Sequence, residues 1–239
     1  MGRDKAWLPW QGQPMVCHVV ETLAETLDDI VVVAAPGQKL PELDVRVIRD
    51  REPHLGPLAG LREGLSVIQH GRAFVTATDA PFLTSRFIQD LVAREEPVAP
   101  EVGGFVQTLC AVYPAEAGER AEGLLSENRR RPLELIESMN FLKLPERDLV
   151  DPQSLSGFNT PDAYLDAVRK LDPDARAEIT MGNGDTISMP VSNLEDMLRT
   201  AKIETEDIEV TSGQGILFDQ LSAPIGAGEH LHITYSSKS

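Results

Sequence analysis

Cysteine is almost missing from this chain, and so are several other features that would have decided its class at once. Only Cys17 and Cys110 occur among 239 residues. They lie far apart and outside any Cys-x-x-Cys spacing, which argues against a disulfide framework and against a zinc site. Each reads as a buried small hydrophobe. No apolar run approaches the roughly 20 residues a membrane helix needs, so no membrane is expected as a partner. No signal peptide is visible, and the expected location is the cytoplasm. Basic residues are scarce, with 22 Lys and Arg against 38 Asp and Glu, a net charge of -16. That balance disfavours nucleic acid, whose phosphate backbone needs a basic face. It does not exclude a mononucleotide, which asks only for a few local cations and often for a divalent metal held by acids. There is no internal repeat and no long low-complexity segment.

What the chain does have is an alternation of short β-branched runs with helical apolar stripes. From Gln13 onward Pro14 suits a first helical turn, and Val16, Val19, Val20, Leu23 and Leu27 share a helix face. Strands are expected at Ile30 to Val33 and at Val45 to Ile48, the second ending in Arg49-Asp50. After a loop from Arg51 to Gly56, Pro57 opens a helix with Leu58, Leu61, Leu65 and Ile68 on one stripe. The run Ala73-Phe-Val-Thr-Ala-Thr78 reads as a strand buried on both faces that ends in Asp79, with Pro81 beyond. A helix near Thr84 to Ala93, a strand around Gln107 to Val112, and helices at about Ala115 to Ser126, Pro132 to Ser138 and from Asn159-Thr-Pro-Asp162 follow. This is the signature of an α/β fold, a mostly parallel sheet with helices on both faces. Met1 to Leu8 reads as a loop.

Near Leu171-Asp-Pro-Asp174 the texture changes. Short strands at Ala177 to Met181 and Thr186 to Met189 flank Gly182-Asn-Gly-Asp185, a strong hairpin signal. A capped helix at Leu194 to Leu198 follows, then strands near Ile208 to Thr211, Gly215 to Phe218 and His230 to Tyr235. Two domains are therefore expected, 1–172 and 176–239, the second a small α+β unit.

Asp4, Asp50 and Asp79 open the chain or follow strands, and with Lys5 they would supply a hard-metal site and a phosphate-binding cation if the strand ends converge. In open α/β sheets ligands bind outside the carboxyl ends of strands, which favours Asp79; capping of the next turn is the alternative. The turn Gly56-Pro57-Leu58-Ala-Gly60 lets the backbone approach a ligand, and its amides begin a helix. Arg129-Arg130-Arg131 offers either a phosphate grip or a solvated face. His230 and His232 share a strand face and lack a third ligand.

Taken in order, these residues resemble the molybdenum cofactor guanylyltransferases and their wider nucleotidyltransferase relatives. The matching pieces are Met-Gly-x-Asp-Lys at 1 to 5, Gly-Gln-Pro-Met at 12 to 15, Val-Ile-x-Asp at 47 to 50 and Gly-Pro-Leu-Ala-Gly at 56 to 60. Thr-Asp-Ala-Pro-Phe-Leu at 78 to 83, Gln-x-Leu-x-Ala-Val-Tyr at 107 to 113 and Asn-Thr-Pro-Asp at 159 to 162 complete the series. The resemblance implies transfer of GMP from GTP to molybdopterin-bound molybdenum, with Mg²⁺ and release of pyrophosphate. Alternatives are a nucleotidyltransferase using CTP or another nucleotide, and a non-catalytic protein that docks molybdoenzymes or molybdopterin-synthesis proteins. By resemblance Lys5 and Asp79 are catalytic, Asp79 binds the metal, and Lys5, Asp50, Gly56, Pro57 and Leu58 bind the nucleotide. Arg130 and Arg131 would contact the pterin phosphate. In that family a strand and a glycine-rich loop precede Met-Gly, so the expected sheet lacks its first strand. The residues from Arg176 onward resemble a β-grasp domain, similar to the sulfur-carrier subunit of molybdopterin synthase, although the chain ends Tyr235-Ser-Ser-Lys-Ser239 rather than Gly-Gly.

Overall fold

The computed structural model describes residues 1–53 and 55–235; His54, in the loop expected from Arg51 to Gly56, and the terminal residues 236–239 lie outside the described set. Two compact units are present, one formed by residues 1–18 with 157–239 and the other by 19–156. Residues 1–18 and 157–175 thus pack with the C-terminal strands, whereas the sequence boundaries group them with the α/β part.

The chain opens with a single 3-10 turn at Lys5–Trp7, then a minimal hairpin of β1 (Pro9–Trp10) and β2 (Gln13–Pro14). Its two-residue turn uses positive φ at Gln11 (51°) and Gly12 (86°), the conformation tight hairpins require. Met1 to Leu8, expected as a loop and not as a buried element, forms the 3-10 turn and buries Ala6 and Leu8, with Trp10 beyond them. Alternation over five residues is too short to reveal that. The division between units falls inside α1 (Met15–Ala24).

In the unit 19–156, β3 (Val31–Ala34) pairs in parallel with β4 (Arg46–Arg49). Next come α2 (Pro57–Val67), β5 (Arg72–Thr76), α3 (Ser85–Val92), β6 (Val98–Val102), β7 (Phe105–Val106), β8 (Cys110–Pro114), α4 (Ala117–Ser126), α5 (Pro132–Glu137) and β9 (Leu142–Pro145). A five-stranded sheet runs β5-β8-β6-β7, with β9 beside β6. Only the β6–β9 pairing is parallel; β5–β8, β6–β8 and β6–β7 are antiparallel. The expected mostly parallel sheet is therefore mixed. The reason is β6, a strand not expected from the sequence, which forms despite Pro100 within it. Its hairpin through Gly103 and Gly104, both at positive φ, precedes the return of the chain as β8 antiparallel to β5.

Helices cover both faces of this sheet. Ala99, Ala111 and Tyr113 pack with Leu58, Leu61, Leu65, Leu124 and Leu135, from α2, α4 and α5. Their neighbours in the strands, Val98, Cys110, Val112 and Leu144, pack with Phe87, Ile88 and Leu91 of α3 and with Val19. Period-two alternation sends successive residues to opposite cores. β5 is not the doubly buried strand expected. It lies at the sheet's edge, none of its residues is fully buried, and among the described residues its only strand partner is β8.

After the 19–156 unit, α6 (Pro161–Leu171) starts with Thr160, whose hydroxyl accepts from Ala163 N, and with Pro161 in its first turn, the expected cap chemistry. The C-terminal strands follow: β10 (Arg176–Thr180), β11 (Thr186–Pro190), β12 (Ser192–Asn193), then α7 (Leu194–Thr200), β13 (Ile208–Ser212), β14 (Pro224–Ile225) and β15 (His230–Tyr235). The order is β11-β10-β15-β13, with β10 and β15 paired in parallel at the centre and antiparallel pairs outside. Ala177, Ile179, Val210, Leu231 and Ile233 face Leu194, Met197 and Leu198 of α7 in one core. The expected strand at Gly215 to Phe218 reduces to a bridge between Thr211 and Leu217.

Within the unit of residues 1–18 and 157–239, Gly226 is packed so closely that a β-carbon there would overlap the Tyr164 hydroxyl and press on Pro9. Tyr164 in turn donates to Pro9 O at 2.6 Å. We expect Gly226→Ala to destabilise the protein by about 1–3 kcal/mol through overpacking, and Tyr164→Phe to relieve part of that loss when combined with it. Thermal unfolding of the two single variants and the double variant checks this.

Candidate active site

In the unit 19–156, Asp50 follows β4. Its amide donates to Ala34 O at 2.9 Å, carrying the β3–β4 pairing one residue further. The Asp50 carboxylate accepts from Glu52 N at 3.2 Å and from Arg62 Nη2 at 3.3 Å. Arg62 is the centre of an ion cluster. Its side chain is only 3% exposed, and it also reaches Glu63 at 2.8 Å, with Glu52 and Glu122 at 3.4 Å each. Arg51 adds a second cation, 2.7 Å from Glu63 and 3.1 Å from Glu122. Burial pushes the Glu63 carboxyl up, but the hydrogen bond and charge of Arg51, with those of Arg62, outweigh it, and the net direction is down. The Arg51 guanidinium is raised, chiefly by its bond to Glu63.

Asp50 is thus oriented by a buried arginine. The sequence reading missed Arg62, yet a signal existed: it lies four residues after Leu58 and three before Leu65, inside the apolar stripe of α2. A charge in that position is buried and must be paired.

Gly56 has φ 77° and precedes α2, with open space around the position a β-carbon would take. Pro57 is exposed and opens the helix. Leu58 is fully buried in the core, so only its backbone can face a ligand. Gly56, Pro57 and Leu58 are joined to Asp50 through Arg62 on the same helix.

Asp79 sits half-buried in the turn after β5. The segment that leaves it is pinned: Leu83 N donates to Ala80 O, and Thr84 caps α3 by accepting from Phe87 N. The Thr84 hydroxyl donates to Asp151 at 2.7 Å, and Ser154 lies 3.0 Å from it. Arg130 and Arg131 lie exposed between α4 and α5; Arg130 donates to Asn128 at 3.2 Å, while Arg129 pairs with Glu127 and Glu134.

In the other unit, Asp4 caps the 3-10 turn that carries Lys5 by accepting from Ala6 N at 2.9 Å. The Lys5 ammonium donates to Asn159 at 3.5 Å, so the first and last of the seven sequence motifs meet there. His230 and His232 stack with ring centroids 5.0 Å apart, and His230 bonds Thr180 at 2.7 Å and lies 3.5 Å from Glu178. Among the described residues no group of three or more His, Cys, Asp or Glu is arranged to hold a metal. Cys110 is buried, its thiol pushed up to about 12 by desolvation, whereas Cys17 is only partly buried. No helix is long and apolar enough to cross a membrane among the described residues.

Solved structures share this architecture. A crystal structure of molybdopterin-guanine dinucleotide biosynthesis protein A from Archaeoglobus fulgidus aligns with a TM-score of 0.58 at 20% identity, covering 72% of this chain and 92% of that one. The 2-C-methyl-D-erythritol 4-phosphate cytidylyltransferase of Thermus thermophilus aligns with a TM-score of 0.54 at 12% identity, covering 68% and 91%. These define the class as a nucleotidyltransferase-like α/β fold. In sequence, residues 1–140 match the MobA-like NTP transferase domain. A Mycobacterium bovis protein named "Probable molybdenum cofactor guanylyltransferase" is 36% identical over 173 residues, 67% of this chain and 86% of the relative. Its namesake in Mycobacterium ulcerans is 34% identical over 169 residues, covering 67% and 83%. The chain belongs to the MobA-like NTP transferase family.

Two outcomes test the ion cluster. Arg62→Met should cost about 1–3 kcal/mol, because it takes the cation from half-buried Asp50 while Glu63 keeps Arg51, and chemical denaturation reads that loss. Glu63 has a lowered folded pKa, so its contribution is complete above the ordinary glutamate range and disappears as pH falls through the folded value. The stability gap between wild type and Glu63→Gln should therefore close on acidification, as followed by thermal unfolding across pH.

Proposed function

We propose that this protein transfers GMP from GTP to molybdopterin-bound molybdenum, releasing pyrophosphate. The observation that carries this reading is the 36% identity over most of the length of a relative named for that activity, joined to seven motifs in order along residues 1 to 162. The substrates are GTP and the molybdenum-loaded pterin. Molybdoenzymes or molybdopterin-synthesis proteins are the macromolecular partners, and the cytoplasm is the compartment.

Phosphoryl transfer asks mainly for positioning and for neutralisation of charge. In this reading Lys5 neutralises a nucleotide phosphate, and its 3-10 turn, capped by Asp4, holds it there. Asp50 accepts from the nucleoside while Arg62 holds its carboxylate in place. Gly56 and Pro57 give the ligand close access to the backbone at the start of α2. Arg130 and Arg131 grip the pterin phosphate.

Mg²⁺ fits in one manner only. With no cluster of three ligands among the described residues, an all-protein cage is not available. A single hard carboxylate, Asp79, suits an ion that takes its other oxygens from substrate phosphates and water. Bound so, Mg²⁺ would supply charge neutralisation at the phosphates.

The C-terminal module, residues 176–239, is read as a β-grasp domain beside a transferase domain of residues 1–172. A central parallel pair of terminal strands, outer antiparallel strands and one helix packed on the sheet support that reading. Residues 236–239, where a carrier protein would bear its terminal glycines, lie outside the described set.

Incubation with GTP, Mg²⁺ and molybdenum-loaded molybdopterin should release pyrophosphate and form the guanine dinucleotide. CTP and ATP should compete poorly. Asp79→Asn should lower kcat by about 10²–10³-fold, the cost of one electrostatic contact to developing charge. Turnover with CTP in preference to GTP, or none with any nucleotide, would reject the assignment.

A further inference from the structure

The residue between Gly2 and Asp4 in the Met-Gly-x-Asp-Lys motif is Arg3, and its guanidinium is buried among the C-terminal strands rather than displayed. Its side chain is 4% exposed and that of its partner Glu229 is 5%, with 2.8 Å between them. Arg3 also donates to Pro224 O at 3.1 Å, and its guanidinium carbon lies 4.8 Å from the centre of the Phe218 ring. Glu229 is itself fixed. Its carboxylate accepts from Gly226 N at 2.8 Å and its carbonyl accepts from Glu178 N at 2.8 Å, at the start of the β10–β15 pairing. Gly2, at φ 67°, is hemmed in by Gln220 and Ala223, so the chain is threaded through this contact one residue earlier as well.

From Arg3 the path to Lys5 is short and rigid. Asp4 caps the turn at its start, and Arg3 Nη2 approaches Trp7 O, the turn's last residue, at 3.5 Å. Ala6, Leu8 and Trp10 are buried around it. Lys5 is the member of this turn whose ammonium reaches outward, to exposed Asn159.

We propose that Glu229, acting through the buried guanidinium of Arg3, is a positioning residue for the nucleotide, setting the backbone that presents Lys5 to its phosphates. The C-terminal module is then part of the transferase's nucleotide-binding apparatus in cis. This rests on the reading of Lys5 as a phosphate contact. A buried pair of this kind contributes little net stability relative to an apolar pair, and fixing one arrangement is its best-attested use.

The test is a double-variant cycle on the full chain, read by direct titration with Mg·GTP and by the KM for GTP. Lys5→Ala alone should weaken GTP binding; if it does not, the phosphate role of Lys5 fails and this inference with it. Given that loss, Glu229→Gln should raise the GTP dissociation constant about tenfold or more, and Glu229→Asp should do so to a smaller extent. In the Lys5→Ala background Glu229→Gln should change GTP binding by less than about twofold, since its effect passes through Lys5. A purely structural role would instead lower the active fraction, leave KM unchanged and add to Lys5→Ala. If Glu229→Gln does not fold, Glu229→Asp carries the cycle. A folded Glu229→Asp with GTP affinity within about twofold of wild type overturns the proposal.

Discussion

Pairing of carboxylates with buried arginine is the constraint on which this structure turns. The chain carries 38 acids against 22 basic residues, and it spends two of its arginines in the interior, Arg62 and Arg3, each with a side chain almost wholly removed from solvent. Taking a guanidinium out of water is tolerated only where several acceptors surround it. Arg62 meets that condition with four carboxylates drawn from the loop after β4, from α2 and from α4. Arg3 meets it with one carboxylate, backbone carbonyls and an aromatic face. Removing acids from these clusters would leave the guanidinium, not the acid, as the destabilising group.

The helix that carries Arg62 also packs against several elements of its unit. α2 touches β3, β4, β5 and α4, and it can do so because two small residues permit close approach. A β-carbon at Gly64 would lie 3.2 Å from Val33, and one at Gly118 of α4 would lie 3.3 Å from Leu65. Gly60 has open space instead, so the helix's glycines do not share one role. The first turn of α2 follows Gly56, its middle holds the ion cluster, and its apolar stripe fills the core with Leu58, Leu61 and Leu65. Asp50 is thereby held both by its own loop, through Glu52 N, and by the core of the unit, through Arg62.

Much of this was legible in the sequence where one residue type dictates one local outcome. Pro57, Pro132 and Pro161 each open a helix, because proline's fixed φ and missing amide hydrogen suit a first helical turn; Pro14, expected in the same role, instead ends β2, and α1 starts after it at Met15. The hairpin over Gly182 to Asp185 forms with Gly184 at φ 91° and Asn183 bonded to Asp185. The apolar stripe of α3 was readable for the same reason, since Phe87, Ile88 and Leu91 alone are buried in it. Illegible features depended on partners distant in the chain. β6 became a strand because β8 and β9 flank it, despite Pro100; Ala6, Leu8 and Trp10 were buried by contacts no local pattern encodes. Strand direction was equally hidden: an apolar run reads the same whether its neighbour runs with it or against it, and β8 runs against β5.

The site followed the same division. Asp50, Gly56 and Asp79 stood out as candidates because they are carboxylates after strands and a glycine before a helix. Arg62, which touches Asp50, and Asp151, which touches Thr84, did not, since they matter only through what they touch. Asp151 adopts φ 63° and accepts from Thr84, which caps α3 five residues after Asp79. A left-handed aspartate is stable only when its surroundings over-determine it, and here Thr84 and Ser154 do so. The turn that displays Asp79 is thus bounded by β5 on one side and by that network on the other.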